Sequence, residues 1–147
     1  MPLPQVGGTV TQRFANLTGS LSIGAIPDGA WMLLSVMSSS NSMVITPPAG
    51  WVTLHAGETT GTRRNYLYGK IKESSDGASA TFTHSLTSSI AYSLLWGTDG
   101  GAVETWMVGA TDVRSTSGEP SGARYTNTAP SLTTITDNYL AVAISQE

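Results

Sequence analysis

The apolar residues of this chain do not recur at helical spacing. Wherever an apolar stripe at positions i, i+3, i+4 and i+7 begins, Gly, Pro or a cluster of Ser and Thr interrupts it. Alternation with a period of two and short apolar runs recur instead, with turn-forming residues between them. The sequence therefore predicts an all-β fold.

The predicted strands are short and closely spaced. Most connections between them are too short for a parallel crossover, so we expect antiparallel pairing. This spacing predicts an antiparallel β-sandwich, jelly-roll-like, as a single domain over residues 9–147. The strands are expected at residues 9–14, 20–23, 30–37, 42–46, 51–56, 64–72, 78–84, 89–96, 103–108, 131–135 and 138–144.

Ser and Thr take the place of charged residues on the surface of this domain. They number 19 and 20 among 147 residues, whereas charged residues make up only 12%. Seven basic and ten acidic residues give a net charge of -3, which argues against a nucleic-acid partner. No apolar run approaches the roughly 20 residues of a membrane span, so no membrane partner is expected.

No group of residues has the spacing of a catalytic or metal-binding site. His55 and His84 form no HxH or HxxxH pair, no GxSxG elbow is present, and the chain has no cysteine. Asp28 and Asp76 each precede a glycine, where the side chain caps a turn. We therefore expect a protein that is not an enzyme and has no cofactor and no metal.

Residues 1–8 are predicted to form an extended N-terminal arm. Pro2 and Pro4 remove two N–H donors, so this stretch cannot be an interior strand, and the Gly7-Gly8 pair is interpreted as a hinge. The apolar residues of the arm are the first candidates for partner binding, through docking on a neighbouring subunit. They are Met1, Leu3 and Val6.

The aromatic residues suggest a second contact surface. Tyr66 and Tyr68 share one face of a predicted strand with Arg64, Lys70 and Lys72, and this face is expected to meet solvent or a partner, with burial in the core as the alternative. Trp106 is the third aromatic candidate for partner binding. Exposed aromatic rings stack on sugars, so a carbohydrate-binding β-sandwich module is one alternative function.

Two further expectations concern the core and a turn. The residues expected in the core, most of them from strongly apolar runs, are Trp31, Leu33, Phe82, Leu94 and Trp96. A Pro-Pro-Ala-Gly sequence precedes Trp51, which predicts a type II turn with Gly50 at positive φ.

Four segments occur in a familiar order between residues 25 and 97. They are Ile26-Pro27-Asp28-Gly29-Ala30-Trp31-Met32-Leu33-Leu34-Ser35-Val36, Thr46-Pro47-Pro48-Ala49-Gly50-Trp51-Val52-Thr53-Leu54, Asn65-Tyr66-Leu67-Tyr68-Gly69-Lys70 and Asp76-Gly77-Ala78-Ser79-Ala80-Thr81-Phe82-Thr83. This order resembles β-sandwich domains in virion proteins of tailed bacteriophages, especially those infecting actinobacteria. The first segment departs from the family pattern, because Asp28-Gly29-Ala30-Trp31 replaces the usual Gly-Asp step.

The resemblance implies a non-enzymatic structural protein on the virion surface, assembled in the host cytoplasm. It favours a capsid decoration or minor capsid protein, with a tail or tail-fibre module that binds the host surface as the alternative. The implied partners are major capsid or tail subunits and further copies of the chain as a homo-oligomer, with a host surface glycan as the partner in the tail alternative. The resemblance implies no catalytic residue.

Overall fold

The computed structural model describes residues 5–98, which form eight β-strands. No helix long enough to cross a membrane occurs among these residues. The predicted strands at 103–108, 131–135 and 138–144 lie outside the described residues. The eight strands are β1 (Gln5–Phe14), β2 (Thr18–Ser22), β3 (Trp31–Ser38), β4 (Ile45–Thr46), β5 (Val52–Thr60), β6 (Arg63–Ile71), β7 (Ser79–His84) and β8 (Ile90–Thr98).

The strands form two antiparallel sheets packed face to face, which confirms the predicted β-sandwich. One sheet has the order β1-β8-β3-β6-β5 and the other the order β2-β7-β4. An eight-stranded jelly roll places strands 1-8-3-6 in one sheet and 2-7-4-5 in the other. This chain follows that arrangement except at β5, which pairs with β6 in the larger sheet.

Strand β3 is the centre of the larger sheet. It pairs along its whole length with β6 on one side and with β8 on the other. Met32, Leu34 and Val36 point inward, opposite Trp96, Leu94 and Tyr92 of β8. They meet inward residues of the smaller sheet, among them Leu21 and Phe82, in one hydrophobic core.

The outward residues of β3 are buried as well. The indole of Trp31 lies over Gly97 of β8, where a Cβ atom would come within 2.5 Å of the ring, and its Nε1 donates to the Thr98 carbonyl at 2.9 Å. Leu33 is only 9% exposed. Because both faces of β3 are buried, its sequence reads as a continuous apolar run rather than an alternating one.

The pairing of strand β1 shows that part of the predicted N-terminal arm is a β-strand. Gln5, Val6 and Gly8 pair with Thr98, Gly97 and Trp96, so residues 5–8 belong to the edge strand and the predicted boundary after Gly8 is wrong. The Gly7-Gly8 pair is not a hinge. The indole of Trp96 lies so close to Gly7 that a Cβ atom there would overlap the ring, and the glycines make room for it.

The remaining core predictions hold with one exception. Trp31, Leu33, Phe82 and Leu94 are buried, as expected, whereas Trp96 is only partly buried because it lies beneath the edge strand. The turn prediction is confirmed: Gly50 has a φ of 83°, and the Trp51 N–H donates to the Pro48 carbonyl across it.

Candidate partner-binding surface

Four connections gather at one end of the sandwich. They join β1 to β2, β3 to β4, β5 to β6 and β7 to β8, at residues 15–17, 39–44, 61–62 and 85–89. We call these four connections the loop end. They meet because every antiparallel pair in the two sheets joins an odd-numbered strand to an even-numbered one, which places the ends of odd-numbered strands beside the starts of even-numbered ones.

Hydrogen bonds hold the loops of this end to one another. The Ser39 N–H donates to the Ser89 carbonyl at 2.9 Å, and the hydroxyls of Ser39 and Ser88 lie 2.7 Å apart. The Asn41 side-chain amide donates to the Gly61 carbonyl at 3.0 Å. The loop end is therefore a fixed surface rather than four independent loops.

A buried histidine and a buried tyrosine form a hydrogen-bonded pair beneath the loop end. The carbonyl of Asn16 lies 2.7 Å from Nδ1 of His84 and can only accept, so Nδ1 carries a proton and donates. In the neutral imidazole Nε2 then accepts from the Tyr92 hydroxyl, 2.5 Å away. Burial, with a smaller contribution from Tyr68, raises the pKa of Tyr92 far above its usual value, so this hydroxyl stays protonated.

Three aliphatic side chains project from the loop end into solvent. Leu17, Val44 and Leu86 are 52%, 50% and 41% exposed. Their backbones lie close together, because the Leu17 carbonyl accepts from the His84 N–H and the Val44 carbonyl accepts from the Ser85 N–H, one or two residues before Leu86. We call these three residues the apolar patch. Large apolar side chains grouped on an exposed surface mark a site of contact with another molecule.

The connections around the apolar patch carry no charged side chain of their own, and the nearest basic group, Arg64, donates to the Met43 carbonyl beside Val44. Residues 15–18, 38–44, 61–62 and 85–89 contain no acidic or basic side chain. The opposite end of the sandwich is charged: Lys70 lies 3.2 Å from Asp76, and Lys72 lies 3.6 Å from Asp28. The two ends therefore differ in chemistry, and only the loop end combines exposed apolar groups with uncharged hydrogen-bonding groups.

The predicted aromatic contact face is wrong. Tyr66 and Tyr68 are buried and point at the smaller sheet, where their hydroxyls donate to the carbonyls of Met43 at 2.6 Å and Ile45 at 3.0 Å. Both side chains have a long apolar body and a polar tip, so they fill the core and satisfy backbone carbonyls at its edge. Burial, more than any neighbouring charge, raises the pKa of both tyrosines.

The basic residues of that predicted face are not solvated side chains either. Lys70 and Lys72 are buried, and their ammonium groups contact acidic residues and carbonyls at the charged end. Arg64 donates to the carbonyls of Gly57 and Met43, and its guanidinium lies over the Tyr66 ring. These basic side chains therefore connect β4 and the neighbouring loops to the larger sheet instead of binding a partner.

The other predicted contact residues have different outcomes. Val6 is 58% exposed on edge strand β1, far from the apolar patch. Met1, Leu3 and Trp106 lie outside the described residues. Sequence reasoning missed Leu17, Val44 and Leu86, because each is a lone aliphatic residue in a Ser- and Thr-rich loop and only the strand order brings them together.

The described aromatic residues offer no platform for sugar stacking. Trp31, Trp51, Phe82 and the three described tyrosines are buried, and Phe14 and Trp96 pack against the core. Between residues 5 and 98, no group of three His, Asp or Glu side chains is placed to hold a metal ion.

No protein-family model, curated protein sequence or solved structure matches the chain.

Proposed function

We propose that the chain is a non-enzymatic structural protein on the surface of a bacteriophage virion, and that it attaches to a neighbouring subunit through the loop end. The order of sequence segments described above supports the virion assignment. The single observation that carries the attachment surface is the apolar patch, at an end of the sandwich whose connections are hydrogen-bonded to one another and carry no charged side chain.

The size of the apolar patch fits a capsid decoration or minor capsid protein. A stable pair of free proteins usually buries about 800 Å² on each partner. Three half-exposed aliphatic side chains supply only part of such an area. A small contact is sufficient where many copies are held together on one particle, because each bound neighbour raises the effective concentration of the next contact.

The experiment uses purified particles of the phage that encodes the chain. Particles that lack the chain are incubated with the recombinant protein, and the amount bound to capsid and tail fractions is measured. We expect binding to the capsid fraction for the wild type and strong loss for Leu17→Asp and Leu86→Asp. Both residues are largely exposed, so these variants should keep the wild-type melting temperature.

The matched control is Thr81→Asp, which places the same charge on the exposed outer face of the smaller sheet. It should bind particles like the wild type. Wild-type binding by Leu86→Asp contradicts the attachment surface, and recovery of the chain only in the tail fraction contradicts the decoration role. Absence of the chain from particles contradicts the virion assignment as a whole.

A further inference from the structure

A shallow groove crosses the outer face of the larger sheet beside the loop end. It has a volume of about 460 Å³ and runs between Arg13 of β1 and Met37 of β3, over Ala91 of β8. A second hollow of about 170 Å³ continues it toward Arg63 of β6. Both contain Arg13, Met37 and Ala91 in their walls, so they form one surface, which we call the arginine groove.

The two arginines converge on the arginine groove from opposite sides. Two strands, β8 and β3, separate β1 from β6, so the backbones of these two strands lie about 14 Å apart. Both side chains nevertheless line the smaller hollow, and Nη1 of Arg63 lies 4.0 Å from the sulfur of Met37. The two arginine side chains therefore border a shared space beside Met37.

Neither guanidinium is neutralised in the part of the chain that the structure describes. Arg13 and Arg63 are exposed, and none of the carboxylates whose positions the structure describes lies within ion-pair distance of either residue. This differs from Arg64, which is held by two backbone carbonyls, and from Lys70 and Lys72, which contact acidic residues. The arginine groove thus carries two positive charges that the described part of the fold does not use.

The walls of the arginine groove suit a carboxylate ligand. A guanidinium presents paired N–H donors that match the two oxygens of a carboxylate. Hydroxyls of Ser39 and Ser89 add neutral hydrogen-bonding groups, and Met37 and Ala91 form an apolar floor for the stem of a Glu or Asp side chain. Nucleic acid is a poorer fit, since two arginines can neutralise only two phosphates, whereas a phosphate backbone carries one charge per nucleotide.

We propose that the arginine groove binds an acidic segment of the neighbouring subunit. This inference rests on the proposed function, because the groove adjoins the loop end through Ser39 and Ser89 and would be covered by the same partner. The apolar patch supplies the uncharged part of the contact. The arginine groove makes the contact selective for an acidic partner. Uncharged loops cannot provide this selectivity.

The direct test measures binding of a fluorescent hexaglutamate peptide to the full chain at low salt. We expect saturable binding that weakens as salt is added, and no binding of the matched hexaglutamine peptide. Arg13→Gln and Arg63→Gln should each weaken hexaglutamate binding by about tenfold or more, and Arg63→Lys by less because the charge remains. Thr81→Asp, which lowers the net charge by the same one unit on the exposed outer face of the smaller sheet, should bind like the wild type.

The outcomes separate this inference from the proposed function. The groove inference is wrong if Arg13→Gln and Arg63→Gln bind hexaglutamate as tightly as the wild type does. It is also wrong if the chain binds a DNA duplex more tightly than it binds hexaglutamate. In the particle assay, Arg63→Gln should lose occupancy as Leu86→Asp does. If Leu86→Asp fails to bind particles while both arginine variants bind normally, the groove inference is wrong and the attachment through the loop end stands.

Discussion

A methyl group on Gly50 would lie 2.5 Å from the ammonium nitrogen of Lys70. The turn before β5 therefore packs directly on a buried lysine, and that lysine in turn contacts Asp76 at 3.2 Å. Gly50 is favoured by its φ of 83°, and a Cβ atom there would also displace the end of the Lys70 side chain. The turn and the ion pair at the charged end form one unit.

Two alanine variants separate these requirements. Gly29 has nearly the same φ, 82°, but nothing within 4 Å of the position its Cβ would take. Gly29→Ala should lose about 1 kcal/mol of unfolding free energy, from backbone strain alone. Gly50→Ala should lose at least about 1 kcal/mol more, because Lys70 must leave Asp76. Denaturant unfolding of both variants is the measurement, and equal losses would show that Lys70 moves without cost.

Alkaline pH should destabilise the fold through its buried tyrosines. Burial raises the pKa of Tyr68 and Tyr92, so the folded chain keeps protons that the unfolded chain releases above pH about 10. Stability from these groups is complete below that pH and is lost as pH rises above it. Each tyrosine should contribute a fall of up to about 1.4 kcal/mol per pH unit in the unfolding free energy.

The pH series is measured by denaturant unfolding, with tyrosinate absorbance followed in parallel. Tyr68→Phe is the control, because it removes one of the buried-tyrosine contributions and should make the pH dependence shallower. Unfolding free energies that stay constant between pH about 9 and about 11 would contradict the burial of these hydroxyls.

The pair of His84 and Tyr92 gives a further prediction. Tyr92→Phe leaves Nε2 of His84 buried without its donor, which should lower the unfolding free energy by about 1–3 kcal/mol. The matched comparison is Tyr92→Phe in a His84→Leu background, where no unpaired nitrogen is created and the loss should be smaller. Thermal or chemical unfolding of the four proteins gives the coupling, and a coupling near zero is incompatible with the hydrogen bond.

Local sequence patterns predicted the strands well but not the side that each strand buries. The eight described strands overlap predicted ones, because turn residues and apolar runs mark strand ends locally. Strand β6 shows what is missing. Tyr66 and Tyr68 alternate with Leu67 and Gly69, so both faces of the strand carry apolar surface, and hydropathy alone does not choose between them.

The loop end and the arginine groove depend on strand order rather than on local pattern. Leu17, Val44 and Leu86 come close together because β2, β7 and β4 are neighbouring strands. Arg13 and Arg63 line one hollow although two strands separate them. No spacing along the chain signals either juxtaposition. The same holds for Trp96, whose contact with Gly7 follows from the pairing of β1 with β8.

Two truncations test where the N-terminal strand begins. Deleting residues 1–8 removes the part of β1 that pairs with the end of β8 and covers Trp96. This truncation should lower the melting temperature by several degrees, since it exposes a large aromatic side chain and removes ladder hydrogen bonds. Deleting residues 1–4 leaves every described pair of β1 in place and should keep the wild-type melting temperature.

Particle binding by the shorter truncation then tests what remains of the arm hypothesis. If Met1 and Leu3 dock on a neighbouring subunit, the chain without residues 1–4 should fold normally but occupy particles less than the wild type does. Wild-type occupancy would contradict the arm hypothesis and leave the loop end as the proposed attachment surface. A melting temperature for the chain without residues 1–8 that equals the wild-type value would contradict the pairing of residues 5–8 with β8, because a strand that covers Trp96 cannot be removed without cost.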